Sequence, residues 1–157
     1  MSRATPATLA LDRAGVAYTL ATYDYDPGAE RVGLQAAEAL GAPASEVLKT
    51  LIVKADAKPA CVVLASDREV AMKRLAAALC AKTAEMMKPA DAERITGYRV
   101  GGVSPFGQKK RLPTVIDETC ELYDTVYVSG GRRGLDLGVA PADLIRVLDA
   151  VTADIAV

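Results

Sequence analysis

Between Tyr98 and Pro113 the chain reads YRVGGVSPFGQKKRLP, and Gly101, Gly102, Gly107, Pro105 and Pro113 lie too close together for a helix or a central strand to pass through. The regular elements have to flank this loop and hold it. Glycines let backbone come close to a ligand, and Pro105 limits how far the loop flexes. Three cations, Lys109, Lys110 and Arg111, follow at once. Backbone amides presented this way hold an anion or a developing oxyanion. A rigid surface loop running into a solvated strand end accounts for the same residues, and the loop alone does not separate the two.

The better-known loop motifs fail here. Gly102 and Gly107 have the spacing of a nucleotide-hydrolase phosphate loop, but Gln108 stands where that motif has Lys. A hydrolase nucleophile elbow around Ser104 would need glycine at position 106, which is Phe. The chain contains no histidine, so Ser-His and Cys-His catalysis are excluded. An ester-cleaving site would take its base from a perturbed Lys, Asp or Glu, or from the substrate, with backbone amides stabilising charge. Cys61, Cys80 and Cys120 are far apart and unpaired in spacing, which argues against zinc, and no metal or cofactor is expected.

The chain reads as one domain spanning 1–157, 51% hydrophobic and 25% charged, with a net charge of −1. No stretch is apolar enough to cross a membrane, and a reducing, cytoplasmic setting suits the cysteines. Near neutrality confines any nucleic-acid contact to local basic clusters. Thr5 and Pro6 open a helix that stops at Gly15, and a strand is expected over Tyr18–Tyr25, with a turn at Asp26, Pro27 and Gly28. Helices follow at Leu34–Leu40, after Ser66 and Glu69 with capping-box spacing, at Ala90–Thr96 and from Pro141 to about Asp149. Met72, Leu75, Ala76 and Leu79 form the apolar stripe of the second of these. Strands are expected at Val47–Val53, Cys61–Ala65, Thr83–Met87, Thr114–Asp117, Thr125–Ser129 and Leu135–Val139. The pattern predicts an α+β domain with a curved mixed sheet, partly closed into a barrel, and surrounding helices.

In the strand VLKTLIV, alternation sets Lys49 in a row with Val47, Leu51 and Val53. A lysine there meets an anion, or packs its stem on the sheet and sends its head to water. Asp136 faces away from Leu135, Leu137 and Val139, which allows a solvated position without requiring one. The preceding SGGRRG, with Arg132 and Arg133, suits phosphate or carboxylate contacts and equally a charged surface turn.

The segments TYDYDP at Thr22–Pro27, KTL at Lys49–Leu51, GYRVGGVSPFGQKKRLPTVID at Gly97–Asp117 and YVSGGRRGLDL at Tyr127–Leu137, in this order, resemble the YbaK family of aminoacyl-tRNA editing proteins. That family is similar to the editing insertion of bacterial prolyl-tRNA synthetases, and the match is close to its Cys-tRNA(Pro) deacylase branch. The resemblance implies an enzyme acting in trans that cleaves the ester of a mischarged tRNA, chiefly cysteine on the proline tRNA. Lys49 falls on the family's catalytic lysine, and Gly102, Val103, Ser104 and Pro105 on its GxxP loop beside Gly101. Tyr23, Thr50, Ser129, Gly130 and Asp136 match further pocket positions. Val32 stands where cysteine-specific relatives have an aromatic residue, and Tyr25 where a histidine can occur. The implied mechanism is substrate-assisted: the cysteinyl thiol attacks its own ester. Lys109, Lys110, Arg111, Arg132 and Arg133 would contact the RNA, and prolyl-tRNA synthetase would be a partner. Two other readings are an Ala-tRNA(Pro) deacylase using a positioned water and a module that binds RNA or a nucleotide without catalysis.

Overall fold

The computed structural model describes residues 4–27 and 32–157, apart from the side chains of Val32 and Gly33. The Gly28 of the expected turn lies outside the described residues. Helix α1 (Pro6–Ala14) begins where Thr5 Oγ1 accepts from Thr8 N while Thr8 Oγ1 accepts from Thr5 N. Proline sets its first turn and Gly15 ends it in the left-handed conformation, at φ 68°. After β1 (Thr19–Thr22) come α2 (Val32–Leu40), β2 (Leu48–Ala55), β3 (Lys58–Ala65), α3 (Met72–Ala78), β4 (Ala84–Met86) and α4 (Pro89–Thr96). The chain closes with β5 (Thr114–Asp117), a 3-10 turn (Glu118–Leu122), β6 (Val126–Arg132), β7 (Leu135–Val139), α5 (Pro141–Leu148) and β8 (Val151–Ala153).

The domain is α+β, but its strands form two hydrogen-bonded sheets where one curved sheet was expected, with no closed barrel among the described residues. One sheet has the order β1-β7-β6, all antiparallel; the other has the order β4-β2-β3-β5-β8, with β3-β5 and β5-β8 parallel. A parallel bridge between Val47 and Tyr127 joins them. The largest core, with Leu11, Ile52, Phe106, Ile116, Val128, Leu137 and Leu144, draws on both sheets, α1 and α5. A second, around Val53, Val62, Leu75 and Ile155, packs α3 on the five-stranded sheet.

Three local expectations change. Strand β1 covers only Thr19–Thr22, because its partner β7 begins at Leu135, opposite Thr22. Ser66 and Glu69 do not cap α3: Ser66 Oγ donates to Val47 O, the Glu69 backbone pairs with Val157, and the helix starts after Ala71 without a side-chain cap. Gly130 and Gly131 of SGGRRG belong to β6, where they bulge between the pairs Ser129–Asp136 and Arg132–Leu135, which leaves only Arg133 and Gly134 in the turn.

Candidate active site

A cavity of about 300 Å³ opens between the two sheets, walled by β2, β4, the start of α4 and the loop before β5. Its polar groups are Tyr23, Lys49, Thr50, Ser129 and Asp136; Leu48, Ile52, Met87 and Val103 are among its apolar ones. The sheet junction sets this grouping. Lys49 and Ser129 each lie two residues beyond the Val47–Tyr127 bridge, on strands running in parallel, so both come to the same stretch of wall. Asp136 pairs with Ser129 on one side and with Ala21 on the other, and Tyr23 follows just beyond.

Asp136 is 5% exposed, which closes the solvated reading that its alternation left open. Strand β7 is the middle strand of its sheet and is buried along its whole length, so neither face meets water. Burial pushes the Asp136 carboxyl up to about 7. The Tyr23 hydroxyl is pushed up to about 12, by burial first and by the Asp136 carboxylate second. Thr50 Oγ1 is buried without a protein partner among the described residues, so a bound ligand that donated or accepted there would relieve a cost of roughly 1–3 kcal/mol. Lys49 is half-buried on the wall.

The glycine loop and the β6–β7 turn are fastened together over one side of this cavity. Arg133 donates through Nε and Nη2 to Val100 O at 3.0 and 2.8 Å, and its guanidinium lies 5.2 Å from the Tyr25 ring centre. Glu93 Oε2 accepts from Val100 N at 2.8 Å. At Gly102 a Cβ would come within 2.9 Å of Arg133 N, so this close approach requires glycine. Arg133, expected to contact RNA, therefore also braces the loop.

The expected residues separate into two groups. Tyr23, Lys49, Thr50, Gly101, Val103, Ser129 and Asp136 line the cavity together. Gly102, Ser104, Pro105 and Gly130 do not. Ser104 is fully buried, with its Oγ accepting from Phe106 N and its carbonyl from Gln108 Nε2. Gly130 O accepts from Thr5 Oγ1 at 2.6 Å, so this glycine faces α1. The Val32 side chain lies outside the described residues. Lys109, Lys110 and Arg111 are exposed and away from the cavity, and Arg132 is half-buried. The sequence did not single out Met86, Met87, Pro89 and Ala92, which also line the cavity. The adjacent methionines ahead of Pro89 were the available signal, since Met often fills adaptable binding surfaces.

The two sheets thus meet around a small, largely apolar cavity with one lysine and one buried carboxylate. Residues 27–147 match the family described as "Aminoacyl-tRNA editing domain", and the chain belongs to that family. It is 35% identical over 120 residues to EbsC of Enterococcus faecalis, described as a candidate Cys-tRNA(Pro)/Cys-tRNA(Cys) deacylase, covering 76% of this chain and 73% of that protein. It is 35% identical over 136 residues to the proline–tRNA ligase of Desulfovibrio desulfuricans, which covers 82% of this chain and 23% of the ligase. The chain thus spans about a quarter of that ligase. Among solved structures, a hypothetical protein, APE2540, superposes with a TM-score of 0.86 at 27% identity, covering 98% of this chain and 100% of that one. A structure described as a candidate trans-editing enzyme for prolyl-tRNA synthetase superposes at 0.82 with 22% identity, covering 99% and 97%, and shows the shared fold.

Proposed function

We propose that this protein is a trans-editing deacylase that removes cysteine misloaded on the proline tRNA, by letting the substrate thiol do the attacking. One observation carries this reading: a cavity of about 300 Å³ that sets Lys49 and Asp136 on a largely apolar wall, in a chain without histidine. The volume is at the small end for a ligand site and suits an amino acid with the sugar at its mouth. The Lys49 ammonium orients the terminal phosphate or ribose, and Asp136 faces the α-ammonium of the aminoacyl group. The backbone at Gly101 and Val103 lies along the ester. The cysteinyl sulfur bonds to its own carbonyl carbon and the bond from that carbon to the ribose oxygen breaks. The thiol proton ends on the released tRNA hydroxyl and a cyclic thiolactone leaves. The protein supplies orientation and electrostatics, and good geometry of this kind lowers a barrier by ~7–11 kcal/mol. Family membership and the similarity to EbsC support the substrate class. Prolyl-tRNA synthetase as a partner and a cytoplasmic location belong to the same proposal.

A second reading is favoured by one feature. A buried carboxylate held at about 7 is also a competent base for a water, which would suit alanine on the same tRNA. Replacing cysteine by serine on the tRNA separates the two. The thiol route requires the seryl ester to persist while the cysteinyl ester is lost and the thiolactone is trapped. Equal loss of seryl, alanyl and cysteinyl esters assigns the attack to water.

A further inference from the structure

A second cleft, of about 500 Å³, lies between α1, α5 and the segment that carries the loop away from the first cavity. Arg13, Arg111 and Arg146 line it, and no carboxylate is among the described residues of its lining. These arginines come from three separate parts of the sequence, in a chain whose net charge is −1. Each has a local role to weigh first. Arg13 and Arg146 sit in the last turns of α1 and α5, where a cation complements the helix dipole. Arg146 also pairs with Asp143 at 3.2 Å, and Arg111 Nη2 donates to Val147 O at 3.4 Å. Those roles need one cation per helix end and leave unexplained why all three line one cleft. Among the described residues, Arg13 and Arg111 have no ion-pair partner. The same lining includes the apolar residues Ala10, Pro105 and Leu148. Guanidinium groups bind phosphate in a bidentate way, and apolar side chains beside them can lie against the attached sugar and base.

The position matters as much as the composition. Val103 lines the first cavity and Pro105 the second. Two residues of chain span at most ~7 Å, so the two sites share this piece of loop as a wall.

We propose that the arginine cleft is a second site on this protein, binding the phosphate of a nucleotide: one link of the tRNA strand whose acylated end enters the first cavity, or a free mononucleotide. The tRNA source rests on the deacylase reading; the site itself does not.

The test uses the full chain, with uncharged tRNA(Pro) and AMP as probes, and compares wild type with the Arg13→Gln/Arg146→Gln and Arg13→Lys/Arg146→Lys double variants. Thermal melting checks that each variant is folded, and cleavage of 3′-O-cysteinyl adenosine, which has no phosphate, is followed in parallel. Loss of roughly tenfold in tRNA affinity in the glutamine variant, with the salt slope reduced by about 1–2, is the expected result, since each phosphate contact contributes ~0.7–0.9 to that slope. The lysine variant should keep the slope, and cleavage of the phosphate-free ester should be unchanged. Lost AMP binding with tRNA binding intact assigns the site to a free nucleotide. Unaltered affinity for both probes in a folded glutamine variant overturns the proposal. If wild type fails to cleave Cys-tRNA(Pro) itself while the glutamine variant still loses tRNA affinity, the deacylase reading falls and the nucleotide site stands.

Discussion

Asp136 is the residue whose environment departs furthest from what its sequence neighbours suggest. An alternating strand with apolar Leu135, Leu137 and Val139 reads as half-solvated, and only the second sheet and the loop before β5, distant in sequence, close the other face. Lys49 was easier, because a lysine breaking an apolar row is visible without knowing the partner strand. The carboxyl's elevation to about 7, from an ordinary 3.8, has a thermodynamic consequence. Between those values the native protein holds a proton that the unfolded chain has released. The stability this gives is complete below about pH 4 and is lost as pH rises through 7, a difference of at most ~4 kcal/mol. Asp136→Asn should therefore melt higher than wild type at pH 8, by several degrees at ~2–4 °C per kcal/mol, with the gain shrinking toward pH 4. Melting curves across that range check it, and a variant less stable at pH 8 would mean that the carboxylate is held by a favourable partner instead. The same substitution should slow ester cleavage, because the group facing the α-ammonium loses its charge.

Among the elements, those with chemical punctuation were legible. Helix α1 carries both a capping Thr5 and a stopping Gly15, α4 begins at Pro89 and ends at Gly97, and α5 begins at Pro141. Where the deciding partner lies far along the chain, legibility ended. The Ser66 hydroxyl is taken by Val47 O and the Glu69 backbone by Val157, so a correct local spacing capped nothing. Strand β8 was missed because its three residues gain strand form from parallel pairing with β5. Helix α1 also supports the site. Thr5 Oγ1 donates to Gly130 O, beside Ser129 in the bulge, and Gly107 lies so close that an added Cβ would fall 2.3 Å from Pro6 O. Thr5→Ala is expected to cost ~1–2 kcal/mol in denaturant titration. Gly107→Ala should cost more, since its φ of 65° strains any Cβ and the backbone it meets cannot yield. Equal stability of the Gly107 variant and wild type would mean that α1 is not held against this loop.

At the scale of the whole molecule, an α+β class and a gathering of Tyr23, Lys49, Thr50, Ser129 and Asp136 could be anticipated from the ordered blocks of sequence. The way the two sheets meet could not, because it depends on the Val47–Tyr127 bridge, a pairing between residues 80 positions apart in the chain. That bridge makes the cavity by setting β2 of one sheet beside β6 of the other. On the proposed function, this junction holds a cysteinyl ester for cleavage, with Lys49 as the orienting charge. The most direct measurement follows loss of labelled Cys-tRNA(Pro), Ala-tRNA(Pro) and Pro-tRNA(Pro) with the purified protein and with its Lys49→Ala variant. Rapid loss of the cysteinyl ester is expected, sparing the prolyl ester and slowed at least ~100-fold in the variant; removing a group that stabilises charge at a reacting centre has effects of that order. Persistence of all three esters, while the protein still binds the tRNA, would contradict it and leave an RNA-binding module.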